Sequence, residues 1–229
     1  MKSILRHLWF SLALIAALSA VLLLTDKSEK LSERPVVHMV TLLENASLEA
    51  AMRGVEQALR ESGFKPGRDI MLKTWSAQGE ISQLPAIFQQ IMHENPSLVV
   101  TVSTPALLAA ARIITHAPLV FTVASEPARL GLFLNERPEN LCGVYQDPPV
   151  EALLTMALAH NPQLRLLGTL YNSSVINAVI AVEKIRAAAI AAQVKLIEAT
   201  VNSGTDLSLA AESLIQRGAQ AIMVSSDNT

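Results

Sequence analysis

The chain has 229 residues, 51% of them hydrophobic and 17% charged, with a formal net charge of −2. That balance is the reverse of a disordered chain's and allows a buried core. The 18 basic and 20 acidic residues, with 4% aromatics, form no basic stripe of the kind that binds nucleic acid, and the single cysteine, Cys142, cannot build a disulfide framework or a thiolate metal cage.

At the amino end, Lys2 and Arg6 precede an apolar run from Leu8 to Leu24, and a polar stretch follows through Pro35. Positive residues, an apolar run and a polar exit describe an export segment. Its 17 apolar-run residues fall between a long signal core and a short membrane span. Residues 1–25 are therefore read as a signal peptide or membrane anchor and 26–35 as a linker. The remainder is expected on the outer face of a bacterial inner membrane, in contact with the bilayer through Leu8 to Leu24.

Beyond the linker, continuous apolar runs alternate with helical patterns. Strands are predicted over 36–43, 70–75, 98–103 and 119–124. Helices are predicted over 48–62, 82–95 and 105–115. The first places Leu48, Met52, Val55 and Leu59 on one face and stops at Gly63, and the second aligns Leu84, Ile87, Phe88 and Ile91. A second series has a short extended piece at 141–145, helices over 149–160, 174–192 and 205–217, and strands over 164–171, 194–201 and 219–226. Pro127, Pro138, Pro148 and Pro149 mark the break between the series.

Such alternation implies parallel sheets covered by helices on both faces. The expected fold is α/β, with two doubly wound lobes: lobe 1 over 36–140 and lobe 2 over 141–229. Because a parallel strand normally hands over to a covering helix, the second lobe reads as incomplete at its carboxyl end.

Open parallel sheets take ligands beyond the carboxyl ends of their strands. The residues there are small, polar or acidic: Glu44 and Asn45, Ser103 and Thr104, Ser125 and Glu126, Asn172 and Ser173, and Asp227 and Asn228. Ser103-Thr104-Pro105 has the chemistry of a helix start, whose backbone N–H groups attract an anion. Glu44, Glu126 and Asp227 are the carboxylates available for a cationic amine. Trp75 and Tyr145 sit at segment ends where they can wall a pocket. There is no glycine-rich nucleotide loop and no nucleophile elbow, and His7, His38, His93, His116 and His160 show no metal-ligand spacing. No catalytic residue, cofactor or metal is expected.

Several ordered pieces of the sequence are familiar together. They are Glu44 with Leu48-Glu49-Ala50, Gly63-Phe64-Lys65-Pro66-Gly67, Ala77-Gln78-Gly79, Ser103-Thr104-Pro105-Ala106, Pro118-Leu119-Val120-Phe121, Ser125-Glu126-Pro127, Asn140-Leu141-Cys142-Gly143-Val144, Tyr171-Asn172 and Ser226-Asp227-Asn228-Thr229. In this set the chain resembles the ABC transporter substrate-binding proteins of the tryptophan/tyrosine type, which have the type I periplasmic-binding-protein fold.

The resemblance implies two lobes closing over a small ligand, typically an amino acid or a related molecule, and delivery to ABC permease subunits. The residues at the strand ends would line the cleft, with Thr104 receiving a carboxylate and Asp227, then Glu44, an ammonium group. The chain departs from the family where Ser173-Ser174-Val175 replaces a proline and a following acid, where Asn45-Ala46 replaces a His-Pro pair, and where Glu126 stands for aspartate. The same module also serves as the sensing ectodomain of membrane-anchored receptors, which is the alternative reading.

Overall fold

The computed structural model describes residues 19, 34–132 and 138–224. The chain divides into two compact units, Met1–Pro35 and Val36–Thr229, and the sheets belong to the second. Apart from Ser19, the apolar run from Leu8 to Leu24 lies outside the described residues. Among the described residues no helix is long and apolar enough to cross a membrane.

Strand β1 (Val36–Thr41) is almost wholly buried, as a run of β-branched and apolar residues at the centre of a parallel sheet should be. Helix α1 (Ala46–Glu61) starts where Asn45 Oδ1 accepts the Leu48 N–H at 2.9 Å, which satisfies one of the orphan donors of its first turn. Strand β2 (Met71–Ser76) follows. A 3₁₀ turn (Ile81–Gln83) then leads into α2 (Leu84–His93), so the single helix expected over 82–95 divides at its start. Pro85, which has no N–H to donate, sits in the first turn of α2.

Strand β3 (Leu98–Val102), helix α3 (Thr104–Ile113), and strands β4 (Leu119–Ala124) and β5 (Leu141–Tyr145) complete a parallel sheet of order β2-β1-β3-β4-β5. The second series runs α4 (Val150–His160), β6 (Leu166–Tyr171), α5 (Ile176–Ala191), β7 (Lys195–Thr200), α6 (Leu207–Gln216) and β8 (Ala221–Val224). Its three strands are parallel, in the order β7-β6-β8. The architecture is therefore the expected doubly wound α/β arrangement, and the second sheet repeats the order of the first three strands of the first.

One boundary moves. Residues 141–145, placed in the second lobe by the sequence, pair with β4 and close the first sheet, with Leu141 opposite Leu119 and Cys142 opposite Val120. Pro127 and Pro138 belong to the long connection between β4 and β5, and the passage to the second sheet comes after β5, at Gln146–Pro149. Gly143 makes the β4–β5 pairing possible. A Cβ there would lie 2.2 Å from the Phe121 carbonyl oxygen, beside the irregularity between Phe121 and Ala124.

Alternation along the strands loads both faces of the first sheet. Val37 and Met39 pack with Leu48 and Ile70 on the α1 side. Val40 joins Leu84, Phe88, Ile91 and Leu107 on the other. Each such fully buried apolar side chain is worth about 1.5–3 kcal/mol, so the strands of the first sheet are anchored from both sides. A separate cluster built on Val150, Leu154, Leu167 and Ile185 holds the second sheet.

Candidate ligand-binding cleft

In the first sheet the connections leave the neighbouring strands β1 and β3 in opposite directions, toward β2 and toward β4. A crevice opens at the carboxyl ends of strands at such a switch point. The residues at this crevice are Glu44 and Asn45 after β1 and Ser103 and Thr104 after β3.

Ser103 and Thr104 are buried. Ser103 caps α3, its Oγ accepting the Ala106 N–H at 3.4 Å and its carbonyl accepting the Leu107 N–H at 3.1 Å. Thr104 reaches across to the end of β4. Its Oγ1 accepts the Ser125 N–H at 2.9 Å and donates to Ser125 Oγ at 3.4 Å. Both hydroxyls are buried and stand beside the amino end of α3, where the helix dipole favours negative charge.

The backbone here is held in uncommon conformations. Ser103 has φ 137° with ψ 158°, a region used almost only by glycine. Val123 has φ 51°, unusual for a β-branched residue. Of the five non-glycine residues with positive φ among those described, these two flank the Thr104–Ser125 contact. Strain of this kind persists where the surroundings enforce it and gathers at binding and catalytic sites.

Thr104, Val123 and Ser125 open onto a cavity of about 180 Å³. Its far wall comes from the second series: Val150 and Leu153 of α4, Asn177 and Ile185 of α5, and Met223 of β8. Gln146, in the passage between the sheets, also lines it. The cavity thus combines two hydroxyls and two side-chain amides with aliphatic walls. Two ion pairs fix α5 nearby. Glu183 meets Arg129 of the β4–β5 connection at 3.5 Å, and Lys184 meets Asp147 of the passage at 2.5 Å.

Of the residues singled out in the sequence, Thr104 and Ser125 line this cavity. Ser103 stands behind them as the cap of α3. Glu44 is exposed at the end of β1, and Asn45 is occupied in capping α1. Glu126 is half-buried, its carbonyl accepting the Arg129 N–H at 3.0 Å. Asn172 is half-buried at the end of β6, where its Oδ1 accepts the Ser174 N–H at 3.0 Å and its Nδ2 donates to the Asn202 carbonyl at 3.3 Å. Ser173 beside it is exposed. None of these last five lines the cavity. Asp227 and Asn228 lie outside the described residues.

Trp75 points elsewhere. Its Nε1 donates to His38 Nδ1 at 3.0 Å, within the first sheet. Tyr145 is half exposed on β5. Tyr171, at the end of β6, donates to Glu198 Oε2 at 3.2 Å, and Glu198 also takes a two-pronged contact from Arg186. Burial first, and then the Glu198 charge, push the Tyr171 phenol above its ordinary range, so it stays neutral as a donor.

Gln146, Asn177 and Met223 were missed in the sequence. The signal for Asn177 was its spacing with Ala181 and Ile185, which puts all three on one face of α5, and they share the cavity wall.

Two parallel sheets in these orders are the architecture of the type I periplasmic binding proteins. The chain belongs to the family of ABC transporter substrate binding proteins, which it matches over residues 36–229. It is 25% identical over 189 residues to a tyrosine-binding protein of Clostridioides difficile (strain R20291), covering 82% of this chain and 54% of that one. It also resembles the crystal structure of a conserved domain protein from Vibrio cholerae, with 26% identity and a TM-score of 0.77, covering 82% of this chain and 64% of the other. The fold is shared with a Streptococcus domain solved in complex with L-Trp, with 23% identity and a TM-score of 0.78, over 86% of this chain and 66% of that one. The chain thus spans about half the length of the curated relative and about two thirds of these solved chains.

Proposed function

We infer that this protein is the extracytoplasmic solute-binding component of an ABC-type importer, and that it captures an amino acid between its two α/β halves. The observation that carries the reading is the buried Thr104–Ser125 hydroxyl pair at the carboxyl ends of β3 and β4, next to the amino end of α3. A carboxylate placed there gains two hydroxyl groups and a helix amino end. The aliphatic wall of Leu153, Ile185 and Met223 suits an apolar side chain. The relatives that bind tyrosine and L-Trp support a ligand of this class.

In this reading Asp227 receives the ammonium group, with Glu44 as the second choice, and Gln146 and Asn177 orient the ligand. Capture is a shift between open and closed arrangements, driven by contacts that only the closed one makes. The chain's task is binding and delivery to permease subunits, with no chemical step. Membrane attachment runs through the segment from Leu8 to Leu24.

The test is calorimetric titration of the purified protein with L-tyrosine, L-tryptophan and a panel of other amino acids. Saturable binding of at least one is expected, and replacing both hydroxyls (Thr104→Val with Ser125→Ala) should weaken it by roughly tenfold or more, since hydrogen bonds to a charged group are worth about 1.5–3 kcal/mol each. Asp227→Ala should cost about 2–5 kcal/mol, the penalty of stranding a buried ammonium. Equal affinity for amines lacking the carboxylate would overturn the assignment of Thr104, and no binding of any amino acid would overturn the ligand class.

A further inference from the structure

A second concave surface lies outside the hydroxyl-lined cavity. On α3, Pro105, Leu108, Ala109 and Arg112 recur at three- and four-residue intervals and so share one helix face. On α2, Pro85 and Gln89 do the same, and the two faces enclose a groove of about 550 Å³. Its third wall comes from the second series, through Val175 and Ile176 at the start of α5. The volume falls in the range of small-molecule sites, roughly 300–1,000 Å³, and the composition matches too, apolar walls with a few placed polar groups.

The polar groups are unevenly distributed. Gln89 and Arg112 lie in the carboxyl-terminal halves of their helices, and Pro85 and Pro105 at the amino ends. Arg112 is exposed. Arg53, Arg60, Arg68, Arg129 and Arg186 each hold a carboxylate, whereas among the described residues no acidic side chain pairs with Arg112. Its guanidinium therefore keeps a planar fork of donors at the edge of an apolar groove, the geometry that binds a carboxylate through two parallel hydrogen bonds. Among the lining residues, Ile81 and Ile176 leave 46% and 39% of their surface in water, area that an apolar ligand body would cover.

We propose that this groove is a second binding site, for small amphipathic carboxylates, with the head group on Arg112 and Gln89 and the apolar body lying between α2 and α3 toward Ile176. It is separate from the hydroxyl-lined cavity and shares none of its lining residues. Because its walls come from both series, an occupant binds best in one relative arrangement of the two and biases the molecule toward it.

The test uses the full chain in lipid nanodiscs, titrated with 4-phenylbutyrate and with its uncharged analogue 4-phenylbutanol, against empty nanodiscs. The acid should bind saturably and at least roughly tenfold more tightly than the alcohol. Arg112→Gln, at an exposed position that leaves the melting temperature unchanged, should remove that preference. Ala109→Trp, which fills the groove, should abolish binding of both compounds while amino-acid binding in the hydroxyl-lined cavity persists. Equal binding of acid and alcohol, an unaltered preference in Arg112→Gln, or no saturable binding of the acid to the unsubstituted protein would each overturn the proposal.

Discussion

The two sheets repeat one topology and solve the same packing problem in opposite ways. His38 is the third residue of β1, and Gly168 is the third residue of β6, the corresponding central strand. Each faces the helix that precedes the third strand of its own sheet. In the first sheet the space is filled by a fully buried imidazole. It accepts from Trp75 Nε1 at 3.0 Å and faces Glu94 at 3.5 Å, which in turn holds Lys73 at 2.5 Å. In the second sheet the space is closed by bringing the helix in. A Cβ on Gly168 would lie 3.2 Å from both Leu214 Cδ1 and Ala219 Cβ. The topology thus leaves the chemistry of this position open. One half carries a titratable cluster and the other a steric limit, so the two halves should respond to different perturbations.

The largest effect is expected in the second half. Leu214→Ala removes a fully buried side chain and should cost about 2–5 kcal/mol in chemical denaturation, the usual range for such a cavity. Gly168→Ala should cost about 1–3 kcal/mol by overpacking. Combined with Leu214→Ala it should cost far less than that, because the added methyl enters the vacated space. Additive losses in the double variant would break the steric account.

In the first half the expected signature is sensitivity to acid. Burial, the main cause, holds the His38 imidazole below its ordinary value; Glu94 opposes the shift and Lys73 adds to it. With the unfolded value near 6.5 and the folded value lower, the unfolded chain binds more protons between them. Stability contributed by neutral His38 is therefore present above about pH 6.5 and lost as pH falls through that window. Denaturation of His38→Gln should show a shallower decline from pH 7 to 5, and an unchanged decline would place the acid sensitivity elsewhere. The smallest effect concerns helix starts. Asn45 caps α1, whereas α5 begins at Val175 with no side-chain cap. Asn45→Ala should cost about 1 kcal/mol, measured by thermal denaturation.

Much of the fold was legible because buried parallel strands read as continuous apolar runs and their covering helices as periodic ones. The strand at 119–124 was read to the residue. The strand at 141–145 was recognised but assigned to the wrong sheet, since a five-residue segment between prolines carries no mark of the neighbour it pairs with. The lining of the cavity was legible where it follows from strand ends, as at Thr104 and Ser125. It was not legible where it depends on helix faces meeting across the two series, as at Asn177 and Met223. Trp75 shows the same limit: its position at a strand end suggested a pocket wall, but its partner His38 is 37 residues away in sequence.

In the proposed function, Thr104 and Ser125 hold the ligand's carboxylate. The most direct measurement is a nuclear magnetic resonance titration of the isotope-labelled protein with L-tyrosine and L-tryptophan, following the backbone amides of these two residues. Saturable shifts are expected at Thr104 and Ser125, matched by shifts at Asn177 across the cavity and absent when the corresponding amine without a carboxylate is added. Saturable binding that leaves both amides unmoved would contradict it.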